Sequence, residues 1–488
     1  MIRLLAASAA VAALCVCAPL AQPAAQPAAP PPNFPGQADF HDLYKELIET
    51  NTTASAGSCT VAATAMAARL KAAGYPDADL RILIPPGRPR DGNLLAVLHG
   101  ADANAAGPQV GGAKSGAILL LAHIDVVEAR REDWVRDPFK LVEEGGYFYA
   151  RGASDDKAMA ASFTDAMIRY RHEGFRPRRD IKLALTCGEE TPDTFNGAHW
   201  LMTTHRAEMA AAFALNEGAG GRLEGERRVY LGIQAGEKVY QDYTLEVTNP
   251  GGHSSRPVRD NAIYHLATGL AKIGLYDFPA RLNEATRLHF ERMSPILGGE
   301  LGGQMKFALA KPTPASAVAE IAKDPGYNAM MRTTCVATMV NAGHALNALP
   351  QRATANVNCR ILPGEAPEAV MATLARVMDD PAIRIRMAGE KSPVSPPPPL
   401  TRDVVGPAEA VGQQIWPGVP LVPAMSTGAT DGRFLTAGGV PTYGLSGMFG
   451  ESDGGGVHGL NERIRIRSLY EGREYLYRVV KLYANSGG

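Results

Sequence analysis

Ile181-Lys182-Leu183-Ala184-Leu185-Thr186-Cys187-Gly188-Glu189-Glu190 is an apolar run that stops at a glycine and two adjacent carboxylates. A short apolar run bounded by glycine reads as a buried strand, and acids just past its end stand at the edge of a sheet. Open α/β sheets place their chemistry there. Adjacent acids repel one another, and two tasks compensate for that cost: ligating a metal and moving a proton beside it. Alone, the pair also fits a solvated loop start, so the flanking chain has to decide.

Working outward, residues 117–122 form a second continuous apolar strand, and it ends in His123-Ile124-Asp125. Side chains two apart on an extended segment point to one side, so one of this pair can bind a metal while the other holds the imidazole in its ligating tautomer. Further on, Tyr147-Phe148-Tyr149-Ala150-Arg151-Gly152-Ala153-Ser154-Asp155-Asp156-Lys157 leaves a strand through a glycine turn and enters an Ala-rich helix. Asp155 falls at that turn, where a carboxylate either caps free backbone N–H groups or bridges two ions. Residues 211–215 then deliver Asn216-Glu217-Gly218. Four strand ends carrying His, Asp and Glu, alternating with helices, point to an α/β fold with a polar site along one sheet edge.

At 488 residues the chain exceeds the size at which one core keeps growing, which predicts two domains. A formal net charge of -1 leaves no basic field for nucleic acid or an anionic membrane. Arg3 precedes an apolar and small-residue run over residues 4–18, the length of a signal-peptide core and too short to span a membrane comfortably. The expectation is a signal peptide over 1–21, export to a bacterial periplasm or secretion, and a disordered Ala/Pro-rich lead-in over 22–38. Beyond the leader stand Cys59, Cys187, Cys335 and Cys359, with no metal-type CxxC spacing. Cys335 and Cys359 lie in two strand-like runs, which leaves open both a bridge and a pair of buried thiols.

The order HxD (His123, Asp125), GASDDK (residues 152–157), GEE (188–190) and NEG (216–218) resembles the M20 family of zinc metallopeptidases. Asn249-Pro250-Gly251-Gly252-His253-Ser254-Ser255, then His344-Ala345-Leu346-Asn347-Ala348-Leu349-Pro350 and Asn358-Cys359-Arg360, extend the likeness. So do Ala429-Thr430-Asp431-Gly432-Arg433-Phe434 and Val457-His458-Gly459-Leu460-Asn461-Glu462. Two departures are local: Gly188 and Cys187 stand where many relatives carry an acid before the Glu-Glu pair, and Ala158 replaces a frequent glycine.

The resemblance implies a mixed-sheet zinc-exopeptidase-type α/β catalytic domain, over 39–238 and 400–488, with an inserted α+β lid over 239–390. The residues agree with an insertion: strands and helices are read at 239–249, 261–273, 334–340, 354–362, 366–378 and 383–387, the β-α-β-β-α-β order of a split βαβ unit. Residues 275–332 read as mostly helical and receive no role. A Pro-rich linker over 391–399 leads back to the catalytic domain.

The resemblance further implies two Zn2+ per chain, with Co2+ or Mn2+ as alternatives. Asp155 would bridge, His123 and Glu217 would complete one ion, and Glu190 and His458 the other. Glu189 would be the general base, Asp125 would orient His123, and His253 would steady the oxyanion, often across a dimer interface in the family. Arg360 and Asn347 would hold the substrate carboxylate. Asp431 and Arg433 either serve the pocket or pair with each other. The implied reaction is hydrolysis of a peptide bond beside a free carboxylate, as in a carboxypeptidase or dipeptidase. An N-acyl amino acid deacylase with the same site is the alternative, and an inactive binding or scaffold homologue is a more distant one. The partners are thus a small peptide or N-acyl amino acid and a second copy of the chain, with no nucleic acid.

Overall fold

Three of the apolar runs become adjacent parallel strands: Ile181–Thr186 pairs with Ile118–His123, which pairs with Phe213–Asn216. His123 lies level with Thr186, so the ends of these strands open on one edge. The computed structural model describes residues 33–102, 109–110, 113–114, 116–191, 194–389 and 391–486. The signal-peptide reading lies outside them.

Among the described residues the three strands are the centre of a ten-stranded mixed sheet. Leu80–Leu83 and Asn93–Leu98 extend one side, and Thr442–Gly444, Arg227–Glu237, Gly221–Glu224 and Phe449–Gly450 extend the other, with Leu421–Ser426 also paired to Arg227–Glu237. Alternate side chains bury on opposite faces. Ile118, Leu120, Ala122, Leu183 and Leu185 pack with Leu43 of α1 (Gln37–Glu49), Met66 of α2 (Cys59–Ala72) and Phe163 of α3 (Lys157–His172). Leu119, Leu121 and Ala184 pack with Leu201 of α4 (Gly197–Thr204). This double burial is why the runs are continuously apolar and not alternating.

The chain then crosses into a smaller unit with Lys238 as the only residue between Arg227–Glu237 and the next strand, Val239–Thr248. Strands Thr334–Ala342, Arg352–Ile361, Val239–Thr248 and Arg384–Ala388 lie in that order as an antiparallel sheet. Helices α5 (Ala262–Gly274) and α10 (Pro367–Met378) share its core through Leu266, Leu374, Tyr243 and Val357. The spatial order second, third, first, fourth is that of a split βαβ sandwich.

The segment that received no role folds as α6 (Glu284–Leu297), α7 (Gly299–Ala308), α8 (Ala315–Ile321) and α9 (Pro325–Met331). It packs on the large sheet, with Phe290, Met293 and Met305 clustered around Val422, and His289 Nδ1 2.9 Å from the Pro423 carbonyl. The segment therefore interrupts the smaller unit in sequence while enlarging the core of the bigger one. The Lys238 ammonium donates to the carbonyls of Ala329 (2.9 Å) and Arg332 (2.8 Å) and to Thr334 Oγ1 (3.0 Å).

Residues 391–399 are without regular structure, and α11 (Arg402–Ile415), α12 (Gly432–Ala437) and α13 (Ile466–Asn485) complete the larger unit. Arg473 of α13 is fully buried and grips Asp165 of α3 through two bonds of 2.7 and 3.0 Å. The question left open by Cys335 and Cys359 is resolved as a bridge between neighbouring strands, and a second bridge that the sequence does not suggest, Cys59–Cys187, joins α2 to the end of the central strand.

Candidate metal centre

Each proposed ligand arrives on a separate strand end or turn. His123 is the last residue of its strand, Glu217 follows Phe213–Asn216, and Glu190 sits three residues beyond Cys187. Asp155 lies in the turn before α3, and His458 in a glycine-rich loop with left-handed backbone, φ 59°. Folding brings ligand atoms of His123, Asp155 and Glu217 within 4.8 Å of one another, and likewise those of Asp155, Glu190 and His458. Asp155 belongs to both groups. Its Oδ1 lies 3.0 Å from His123 Nε2 and its Oδ2 3.1 Å from His458 Nε2. The capping alternative does not hold: Asp156 occupies the N-cap of α3, with no side-chain cap bond.

The electrostatics of this cluster are those of crowded acids. Burial raises the Glu217 carboxyl well above its ordinary range; His123 opposes this, while Asp155, Asp156 and Glu189 add to it. Burial also raises Glu189, to about 8, with His123 opposing and Asp431, Glu190 and Asp125 reinforcing. Burial would depress His123, but the bond to Asp155 and the charges of Glu217, Asp155 and Asp125 outweigh it and lift the imidazole well above its usual value. Such a set is short of positive charge, and two divalent cations would supply it. Imidazole nitrogens with carboxylate oxygens match the preferences of zinc, cobalt and manganese, and three donors per group leave positions for water and substrate.

The supporting contacts refine the expected roles. His123 Nδ1 lies 3.1 Å from the Asp125 backbone carbonyl and 3.7 Å from its carboxylate, so the peptide oxygen sets the tautomer. The Asp125 carboxylate instead accepts the amide N–H of Glu189 (3.3 Å) and of Glu190 (3.0 Å). Glu462, the last residue of the motif that begins at Val457, is the buried acceptor that shapes the Asp155 turn. It takes the N–H groups of Gly152 (2.9 Å), Ser154 (2.8 Å) and Asp155 (3.0 Å) and pairs with Arg151 at 2.8 Å. Its place four residues after His458 was the available signal. Asp431 accepts from Asn196 (2.6 Å) and Thr186 (3.0 Å), and among the described residues it makes no ion pair with Arg433.

The remaining predicted residues stand in the smaller unit. His253, on the two-residue strand Gly252–His253, pairs with Ala348 of Ala348–Leu349, and the Ser254 amide donates to the Asn347 carbonyl at 3.0 Å. This brings His253 and Asn347 together at an exposed edge. Arg360 lies on a neighbouring strand opposite Tyr240, its guanidinium 4.7 Å from that ring's centre. Among the described residues none of the three bonds to the ligand cluster. Burial lowers the Arg360 pKa; Tyr240 opposes this, and the charge of Arg433 in the larger unit adds to it.

The chain is 26% identical over 375 residues to the N-fatty-acyl-amino acid synthase/hydrolase PM20D1 of Mus musculus, covering 74% of this chain and 73% of that one. It is 28% identical over 375 residues to a probable carboxypeptidase S-like 2 of Dictyostelium discoideum, covering 75% and 71%. The fold is shared with the M20 family metallo-carboxypeptidase Sso-CP2 from Sulfolobus solfataricus, with TM-score 0.66 and 20% identity over 91% of this chain and 99% of that one. The model of peptidase family M20/M25/M40 matches residues 119–482, three-quarters of the chain, and the protein belongs to that family of hydrolases.

Proposed function

We propose that this protein hydrolyses the amide bond of an amino acid derivative whose released amino acid keeps a free carboxylate, as a carboxypeptidase or dipeptidase does. The supporting observation is the division of Asp155, with one oxygen facing His123 and the other His458, which is the arrangement a carboxylate shared by two ions requires. When bound, two zinc ions supply Lewis acidity that acidifies water and polarises the scissile carbonyl. His123, Asp155 and Glu217 hold one ion, and Asp155, Glu190 and His458 the other. Glu189 takes the proton from water and returns it to the leaving amine, and the charge of bound ions would favour its ionised form. Arg360 and Asn347 hold the substrate carboxylate, and His253 donates to the oxyanion.

N-acyl amino acid deacylation is a second reading favoured by the similarity to PM20D1, since both reactions release an amino acid. Parallel assays on unblocked dipeptides and N-acyl amino acids, with Glu189→Gln as control, decide between them. Preference for acyl substrates overturns the peptidase reading, and near-normal turnover by Glu189→Gln with metal retained overturns the base assignment.

The proposal extends to a homodimer through the smaller unit and to export. Val336, Met339 and Val340 are 59%, 72% and 68% exposed on the edge strand Thr334–Ala342, a surface suited to a second copy. Sedimentation of the parent and Val340→Asp tests this, and a parent that stays monomeric refutes it. Disulfides persist in oxidising compartments, which supports export, and cell fractionation tests it. No helix among the described residues is long and apolar enough to cross a membrane.

A further inference from the structure

The bond between Cys59 and Cys187 lies against the proton-transfer loop. Cys187 immediately precedes Gly188, Glu189 and Glu190, and Cys59 is the first residue of α2. Atoms of Cys59, Cys187 and the Asp125 carboxylate lie within 4.8 Å of one another, so the sulfurs pack on the group that accepts the Glu189 and Glu190 amides. At the other end of the bond, the segment before α2 is fastened to the site. Ser58 N–H donates to the Asn51 carbonyl (2.9 Å), the Thr52 carbonyl accepts from Val126 (3.4 Å), and the Thr50 carbonyl from Lys157 Nζ (2.8 Å). The disulfide thus closes a ring that runs from Cys187 through α2's leading segment to Val126 and Asp125, and back to Glu189 and Glu190.

The loop needs such a tie. Cys187 is held by its backbone, its N–H on Asn93 Oδ1 (3.0 Å) and its carbonyl on Gly197 N–H (2.7 Å). Gly188 turns with φ 91°, and a Cβ there would stand 2.5 Å from the Phe195 carbonyl. Beyond that turn, among the described residues, the backbone N–H groups of both glutamates rest on the Asp125 carboxylate alone. Hydrogen bonds to Asp125 can be exchanged for bonds to water. A covalent bond cannot.

We propose that the Cys59–Cys187 disulfide is a positioning element for Glu189 and Glu190, so that a folded chain with this bond open turns over slowly. The inference rests on the proposed role of Glu189. Reduction by a phosphine breaks the S–S bond, oxidises phosphorus to the phosphine oxide with oxygen from one water, and places that water's two protons on the thiolates.

The test compares full-length parent, C59A/C187A and C335A/C359A. Hydrogen exchange in chelator-treated protein reads the amides of Glu189 and Glu190, and steady-state kinetics read the metal-loaded protein. For C59A/C187A we expect those amides to exchange at least about tenfold faster, with kcat down at least about tenfold and KM changed less than about threefold. C335A/C359A is expected to show neither effect. Smaller changes in C59A/C187A, or equal changes in C335A/C359A, overturn the proposal. Should C59A/C187A not fold, parent reduced with tris(2-carboxyethyl)phosphine and alkylated, with Cys59 and Cys187 identified by mass spectrometry, is judged by the same exchange criterion. A parent that hydrolyses no amide substrate refutes the proposed function, while the exchange result still decides the role of the disulfide.

Discussion

Asp125 Oδ2 accepts the amide N–H of Glu190 at 3.0 Å, and its other oxygen takes the neighbouring amide of Glu189. The carboxylate therefore sets the path of the loop, while the carbonyl of the same residue sets the imidazole of His123. In Asp125→Asn the new NH2 faces an N–H donor, and one bond becomes a repulsion. We expect kcat to fall by roughly 10 to 100-fold, the scale of a charge-assisted bond converted to a rate. Turnover assays with circular dichroism as the folding control check this.

Glu462 neutralises the buried Arg151 guanidinium and gathers three amides of the turn that presents Asp155. Glu462→Gln removes the charge and gives one of those donors a competing donor. Bound metal per chain, measured by elemental analysis after dialysis, is expected to fall below that of the parent, with the loss greater than for Glu173→Gln on the surface.

The pair between Arg473 and Asp165 is a stability element remote from the ligands. Burial raises the Asp165 carboxyl, the bond and charge of Arg473 and the charge of Arg169 oppose that, and removing Arg473 leaves the acid only the Arg169 guanidinium at 3.9 Å. Arg473→Met should cost about 3 to 5 kcal/mol in urea unfolding, and the double variant with Asp165→Leu should recover part of it.

Glu237 offers a pH signature. Burial raises its carboxyl to about 7; the Thr430 hydroxyl and amide, which donate to its Oε2, oppose the shift, and among the described residues Oε1 has no partner. A carboxyl raised on folding contributes stability below its unfolded pKa, and that contribution is lost as pH rises from 4.5 to about 7. Chelator-treated Glu237→Gln should thus gain on the parent across this window by on the order of 1 to 3 kcal/mol, and the difference should level off above it. Denaturant titrations at pH 5, 6, 7 and 8 read it, the steps up to pH 7 following the linkage slope and the last one nearly flat.

Much of the large sheet was legible because its central strands are buried on both faces and therefore apolar without interruption, as at residues 118–122 and 181–185. The long strand Arg227–Glu237 was not, since Gly232 and Gly236 and its charged ends break the pattern. His123, Asp155, Glu190 and Glu217 were readable as candidate ligands from strand ends and the turn after one, His458 only from the family resemblance, and the structure groups the five as two triads. Contacts made by backbone atoms were beyond reach: His123 meets the carbonyl and not the carboxylate of Asp125, and Glu462 meets amides that carry no sequence signature. The Cys59–Cys187 pair, separated by 128 residues, becomes visible only when α2 and the central strand are placed side by side.

Lys238 stands where the chain leaves the larger unit, and its ammonium binds the carbonyls of Ala329 and Arg332 and the hydroxyl of Thr334, where the chain leaves again after the helical segment. One side chain thus staples two outgoing crossings at a single point. Sliding of one unit over the other would break all three bonds of this buried amine at once. Lys238 is accordingly a single side chain through which the position of one crossing is tied to that of the other.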